Sequence, residues 1–539
     1  MHDTHTDNLV VKDASNAMAD RTRDLYLVGP VGRALITLSV PIILGNLLQT
    51  GYQLTDAFWV GRLGAAAVAA VALSSPVTFL VIALGSGLAM AGAALIAQYR
   101  GAGRHDMVDH VAGQTMMMVF LISIPLGAAG YLLAPAFLTL LGVAHEVRAG
   151  ALDFMRVSFV GIVFVFSYTM FQALMRGIGR TYLPLLIVVG TVLLNFALDP
   201  ILIFGLGPIQ GTGVMGAALA TLITQAIAAA IGFAIFLQGR HGIHLRWKHL
   251  RPDKAYIRRA FLLGIPGSID LSARALGLMA MSFLAAGFGT LPIAIYGVGS
   301  TIIQIVTVPA AGLSMAVTTL IGQNLGAGNI ERAENFARLS ITCGFVALSA
   351  FGVLVFAIAP QLVAFLVPSG PAVIADGARF VRIMALSWGG IGVQFCVIAV
   401  LRASGQMVQG MSIALLTQWV IQFPLAYVLS VHLQLGVQGM WWSFPASNLA
   451  SAVLALVWFA SSDWNSGRLV EQNGPAIVPE NAPNLGRSRY IHLYRTTCHA
   501  NDRGTSRVDI SPDDPEVALC CVDRSSDGSD PGLKGRIRD

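Results

Sequence analysis

Three carboxylates stand where an apolar surrounding makes them expensive. Asp56 lies in GYQLTDAFWVGRLG (51–64), Asp199 in LLNFALDPILIF (193–204) and Asp270 in GIPGSIDLSARALGLMA (264–280). A charge at the centre of a bilayer costs about 2.5–3.5 kcal/mol on insertion scales. Asn195 precedes Asp199 by four residues, which puts both on one helix face. Pro200 has no N–H and can free a backbone carbonyl near residue 196. A carboxylate, an amide and a carbonyl on one stripe can hold a proton in a hydrogen-bonded network, or a sodium ion through oxygen ligands. An Asn–Asp pair can equally do no more than join two helices. Asp270 and Arg274 are also four apart, acid first, the order that favours an ion pair within a helix. That pair reads either as structural or as a cavity wall that exchanges partners with a cationic or zwitterionic substrate. Asp56 has two readings as well. It caps the end of its segment with Arg62 as partner, or it lies about one turn deeper than Trp59, which marks the headgroup level.

No enzyme chemistry stands beside these acids. HExxH, GxSxG and Cys/His clusters are absent, and the glycine runs GSGLAMAG and RGIGR follow no strand and carry no GK[ST]. Of five cysteines, Cys343 and Cys396 lie in apolar runs and Cys498, Cys520 and Cys521 near the C-terminus, without metal-ligand spacing. His241 and His244 fall in a basic loop and read as solvated. The expectation is a protein that is not an enzyme and has no cofactor. The metal reading is limited to a sodium ion at Asp56, Asp199 and Asn195.

The elements that must position the acids are apolar spans. The chain has 539 residues, 55% hydrophobic and 12% charged, with mean hydropathy +0.69. A soluble domain carries about 25% charge. Twelve runs near the roughly 20 residues needed to span lie at 34–59, 67–98, 113–142, 154–176, 183–206, 213–238, 260–286, 292–322, 337–367, 380–402, 409–431 and 436–460. The polar start and the long first run predict no cleavable signal. With the N-terminus inside, the loops after even-numbered spans hold 14 Lys/Arg, seven of them in RHGIHLRWKHLRPDKAYIRR, against about five in the opposite loops. That asymmetry predicts a multi-pass protein with both termini cytoplasmic. It accounts for the net charge of +6 without nucleic acid as a partner.

The spans form two halves. GLAMAGAALIAQYRGAG (87–103) matches GLSMAVTTLIGQNLGAG (312–328) at 10 of 17 positions with an offset of 225. LMRGIG (174–179) answers VLRASG (400–405), and GVMG (213–216) answers GVQG (436–439). Small residues recur at membrane helix interfaces by chance, but chance does not also keep Met90/Met315, Gln98/Gln323 and the Gly-Ala-Gly after them. The organisation expected is a cytoplasmic segment at 1–33, an N-lobe at 34–238 (spans 1–6), a basic cytoplasmic linker at 239–259, a C-lobe at 260–461 (spans 7–12) and a disordered cytoplasmic tail at 462–539. Six spans per half make the repeats parallel about an axis along the membrane normal, a transporter plan with binding near the repeat interface. At the repeat offset Asp56 corresponds to Met281, and Asp199 lies near Ala426. The acids therefore belong to one half and are not a requirement of the shared scaffold.

LSVPIILGNLLQTGYQLTDAFWVGRLGAAAVAAV resembles the first span and following segment of MATE (multidrug and toxic compound extrusion) transporters, and LSMAVTTLIGQNLGAGNIERA resembles their signature after span eight. FGTLPIAIYGVG, FQALMRGIGRT and LDPILIFGLGPIQGTGVMGAALAT fit as well; the resemblance covers about 30–461 and points to the proton-coupled, DinF-like branch of bacteria and archaea. It implies an all-α integral membrane protein, twelve helices in two pseudo-symmetric six-helix lobes set in a V. It implies a monomer in the bacterial inner membrane that exports drug-like organic cations by rocking between inward- and outward-open states, in antiport with H⁺ or Na⁺. Carried over by position, the coupling-ion site is Asp56, Asn195, Asp199, the fourth-span amide Gln172 and the sixth-span Thr221. Pro41, 15 residues before Asp56 and about 22 Å along a helix, matches the proline whose bending accompanies protonation in some members. Two positions depart. Phe154 stands where some members have Tyr, and Arg274 where others have a Glu that holds an ion in the C-lobe. The reversed charge favours coupling through the N-lobe.

Together these readings describe an antiporter in which Asp56 and Asp199 share a dry pocket that favours neutral carboxyls and titrates as a pair. Rival readings are a lipid-linked precursor flippase of the wider superfamily, an integral membrane enzyme, and a purely structural bundle.

Overall fold

In a computed structural model, the structure describes residues 24–466, apart from 141 and 367–370, and residue 469. Most of the segment expected at 1–33, nearly all of the tail expected at 462–539, and Cys498, Cys520 and Cys521 lie outside the described residues.

Apart from its loops and one short β-hairpin, the described chain is helical. The helices are α1 (Val31–Gly61), α2 (Ala65–Gly101), α3 (His105–Leu140), α4 (His145–Gly177), α5 (Tyr182–Phe204), α6 (Val214–Gln238), α7 (Lys254–Ala286), α8 (Thr290–Gly326), α9 (Ile330–Leu366), α10 (Pro371–Ala385), α11 (Trp388–Ala403), α12 (Met407–His432) and α13 (Gly436–Ser461). Strands Gly205–Leu206 and Ile209–Gln210 pair antiparallel between α5 and α6. Eleven helices are long and apolar enough to span alone; α10 and α11, bent by 47° at their junction, supply the twelfth span as a pair. Leu132, Leu140, Phe283 and Val353 lie outside the core with more than two-thirds of their surface exposed, as lipid-facing residues should. This is a multi-pass membrane protein.

Several helices begin earlier than the apolar runs. α3 starts at 105 instead of 113, and α7 at 254 instead of 260, because polar residues continue a helix past the hydrocarbon layer. Asp253 caps α7, accepting from the backbone N–H groups of Ala255 and Tyr256 at 3.0 and 3.2 Å. The bond from Tyr256 is foremost in holding its carboxyl below the usual carboxylate range.

The duplication is visible in the backbone. Gly103 and Gly328, equivalent in the repeat, take φ of 73° and 79°, and Gly64 and Gly289 take 104° and 111°. Only glycine adopts such conformations without strain, so both halves turn at the same points by the same means.

The halves interlock through their second helices. α1 packs on α8, and α2 packs on α7 and α8. A Cβ on Gly87 of α2 would stand 2.2 Å from the Gly264 carbonyl oxygen of α7, and one on its repeat partner Gly312 of α8 would stand 2.7 Å from Ile43 of α1. Farther along, a Cβ on Gly101 would meet the Gln323 carbonyl at 1.9 Å and one on Gly326 the Gln98 carbonyl at 2.0 Å. Two bonds then cross reciprocally. Gln98 Nε2 donates to the Ala403 carbonyl at 2.7 Å, and Gln323 Nε2 donates to the Gly177 carbonyl at 2.9 Å. Ala403 and Gly177 are the last residues of α11 and α4, where helix carbonyls have no partner of their own. Each half therefore satisfies a helix end of the other.

Chain-terminal residues fill the spaces beside these bonds. Tyr26 Oη donates to the Gly179 carbonyl at 3.1 Å, and the Leu469 N–H donates to Gln98 Oε1 at 2.7 Å. Trp464 is buried and stacks on Phe459. The first residues of the segment expected to be disordered are thus packed.

His241 and His244 of the linker at 239–259 are only partly exposed, not fully solvated as expected. The linker is held on α3. Buried Gln114 donates to the carbonyls of His249 and Arg251 at 2.7 and 2.6 Å and accepts from the Asp253 N–H at 2.9 Å. The His244 N–H donates to Asp109 at 2.7 Å, and His241 pairs with Arg180 at 3.0 Å.

Gln98→Ala and Gln323→Ala should each leave a buried helix-end carbonyl unsatisfied, at about 1–3 kcal/mol. Thermal unfolding in detergent should show both variants melting below wild type. Unchanged melting in both would mean the crossed bonds do not hold the halves together.

Candidate functional site

α1, α5 and α6 pack side by side in the N-lobe and bring the acids together. Asp56 comes from α1, Asn195 and Asp199 from α5, and Thr221 from α6. Asn195 and Asp199 are fully buried. Asn195 Nδ2 donates to Asp199 Oδ1 at 3.2 Å, and Thr221 Oγ1 donates to Asp56 Oδ2 at 3.3 Å. Asp56 lies near enough to Asp199 and Asn195 for their charges and dipoles to act on one another. Asp56 Oδ1, Asp199 Oδ2 and Asn195 Oδ1 are buried acceptors with no hydrogen-bond partner among the described residues. Three unsatisfied oxygens in one place suit a proton or a small hard cation.

Sequence reasoning missed two members of this cluster. Tyr52 Oη is 2.9 Å from Thr224 Oγ1, and both side chains are buried. Each sits within one turn of a residue already singled out, Tyr52 four before Asp56 and Thr224 three after Thr221. That spacing was the available signal. The capping reading of Asp56 fails, because the Arg62 guanidinium lies over the rings of Phe58 and Trp59, 4.6 and 5.2 Å from their centroids. Trp59 in turn packs against Phe196 and Phe204, closing the apolar end of the pocket.

Gln172 does not join the acids. It lines a separate cavity with Pro41, Pro184 and Val188. Asp199 is 11 residues beyond Val188, about 16 Å along α5. The fourth-span amide position carried over by motif is on the right lobe at the wrong depth. α1 runs unbroken through Pro41 from Val31 to Gly61, and Pro41 lines the same cavity as Gln172.

Asp270 and Arg274 form the expected pair, with Arg274 Nε 2.8 Å from Asp270 Oδ1. A second arginine completes it: Arg402 Nη2 of α11 lies 2.7 Å from Asp270 Oδ2. Both oxygens of a carboxylate only 1% exposed are thereby satisfied. Arg274 also stacks over Phe395 at 5.3 Å. The triad ties α7 to α11, which favours the structural reading of this pair. Among the described residues no cluster of three or more His, Cys, Asp or Glu side chains could hold a metal.

The family model MatE matches residues 41–201 and 268–428, one copy on each half of the repeat. The chain belongs to the MatE family. It is therefore a transporter and not an enzyme. It is 30% identical over 433 residues to the probable multidrug resistance protein NorM of Rhizobium meliloti, covering 79% of this chain and 92% of that protein. It is 29% identical over 430 residues to the probable multidrug resistance protein YoeA of Bacillus subtilis, with the same coverages of 79% and 92%. Its fold matches a solved multidrug resistance MATE family transporter in an outward-facing conformation, with TM-score 0.77 and 24% identity over 81% of this chain and 96% of that one. The fold expected from the sequence, an all-α membrane protein of two related halves, is the fold of this family.

In this MatE protein the Asp270 triad makes a clear demand. Asp270→Asn would strand two arginines beside an apolar interface, and breaking a buried pair in this way costs about 3–5 kcal/mol, at the lower end here because both arginines keep some solvent contact. A large drop in melting temperature is expected. An Asp270→Asn variant as stable as wild type would remove the structural role.

Proposed function

We propose that this MatE protein is a secondary antiporter that expels amphipathic organic cations in exchange for protons. The observation that carries this reading is that α1, α5 and α6 gather Asp56 and Asp199, each held by a neighbouring side chain and each with an unsatisfied buried oxygen, in one lobe only. The family and the names of the relatives supply the cargo class. Met and Phe side chains along the helices suit varied flat cations.

The mechanism follows from charge balance. With both carboxyls ionised the pocket is negative and attracts a cation. A proton arriving from outside bonds to one carboxyl oxygen, allows the carboxyl–carboxyl hydrogen bond and removes one negative charge, so the cation leaves. Thr221 and Asn195 hold the two carboxyls in register while the proton is gained and lost. The proton departs on the other side, and the charge returns.

In this reading the end of the bundle that bears Gln98, Gln323 and the basic linker is cytoplasmic, with both chain termini, in the inner membrane of a bacterium. The crossed glutamine bonds close that end. They must break when the transporter opens inward, and Pro41 is placed to let α1 bend as they do. A monomer suffices for this mechanism, because one lobe of one chain supplies every residue of the site. Sodium is the second coupling ion this oxygen set admits.

Efflux of a fluorescent organic cation from vesicles, with pH and sodium gradients imposed separately, tests this assignment. A pH gradient alone should drive transport in wild type, and Asp56→Asn and Asp199→Asn should each reduce it at least tenfold. Transport driven only by sodium would replace the proton with sodium at the same residues. Full transport in the double variant would remove the site.

A further inference from the structure

The cavity that holds Gln172 has no role in the antiport reading, and its chemistry differs from that of the acid pocket. It measures about 60 Å³ and is lined by Gly45, Asn46 and Gln49 of α1, Gln172 and Arg176 of α4, and Thr181. No acidic residue lines it. Among the described residues no ion pair or hydrogen bond engages the Arg176 side chain. A partly buried arginine at a helix end with no ion pair or hydrogen bond leaves its donors open to an acceptor, and the repeat shows what is missing.

At the offset of 225, Pro41, Gly45 and Gln49 correspond to Pro266, Asp270 and Arg274, and the pairing of LMRGIG with VLRASG makes Arg176 the equivalent of Arg402. In the C-lobe the Asp270 carboxylate occupies the space between these helices and binds Arg402 at 2.7 Å. In the N-lobe its counterpart is glycine, and a cavity takes the place of the carboxylate. A Cβ on Gly45 would meet only Leu185 Cδ1, at 3.9 Å, so the space begins at the position from which the C-lobe acid projects.

We propose that this cavity binds a small oxyanion, a carboxylate or phosphoryl group, on the Arg176 guanidinium, in the place that Asp270 fills in the other half. The guanidinium fork matches such a group with two parallel hydrogen bonds. The amides of Asn46, Gln49 and Gln172 and the Thr181 hydroxyl supply further donors. A cavity of this size admits about four waters, which is room for one such group and not for a ring system. Two sources carry that chemistry: an acidic group on a soluble molecule, and the headgroup of an anionic lipid. The neighbouring residue, Gly177, accepts the bond from Gln323, so an occupant lies against the joint between the halves. The inference stands on the repeat and the cavity and does not depend on proton coupling.

The test is thermal unfolding of the full-length protein in nanodiscs. One arm uses phosphatidylcholine alone and titrates acetate or inorganic phosphate. The other adds phosphatidylglycerol without a soluble anion. Wild type should show a saturable rise in melting temperature in at least one arm, and the responding arm identifies the source. Arg176→Gln should weaken the half-saturating concentration at least tenfold. Gly45→Asp, which supplies the carboxylate from within the chain, should abolish the response and raise the melting temperature without ligand. Asp56→Asn should keep the response, which separates this site from the acid pocket. No response of wild type in either arm, or an equal response in Arg176→Gln and wild type, would overturn the proposal.

Discussion

A charge removed from water must find an opposite charge, a proton or a cavity, and most of this structure is arranged by that constraint. Asp270 meets it with two arginines that satisfy both of its oxygens. Asp56 and Asp199 meet it only in part, with Thr221 and Asn195 as hydrogen-bond donors and an unsatisfied oxygen left on each carboxyl. The same demand applies to the backbone. Helix-end carbonyls at Gly177 and Ala403 have no partner within their own helices, and each is satisfied by a glutamine of the opposite half.

The duplication separates scaffold from chemistry. What both halves share is geometric: glycines of like conformation at the turns, glycines at close approaches between helices, and the reciprocal glutamines. What differs is ionic. The N-lobe carries the carboxyl pair where the C-lobe has Met281 and, near Asp199, Ala426. The C-lobe carries the arginine–aspartate triad where the N-lobe has Gly45. In the antiport proposed above, two halves with one backbone plan would move as near-equals while only one carries the acids that take up the ion.

Much of this was legible in the sequence because membrane helices are governed by few rules. Span count followed from hydropathy, and Asn195 with Asp199 followed from a spacing of four. Depth was less legible. Gln172 has the right helix and the right lobe, yet spacing along a sequence does not report how far along a neighbouring helix a side chain comes to rest. Arg402 escaped notice because its carboxylate is 132 residues away in the chain, although the match of VLRASG to LMRGIG already marked the position. The packing of the linker was not legible because buried Gln114, whose amide binds two linker carbonyls, lies on a different helix.

The central claim is that Asp56 and Asp199 hold one exchangeable proton between them. Infrared difference spectroscopy of the reconstituted protein across a pH titration measures this directly. The account predicts a carboxylic acid C=O band that appears as pH falls, shifts in heavy water, and is lost when both residues are changed to asparagine. A titration without such a band, or a band unchanged in the double variant, would contradict it.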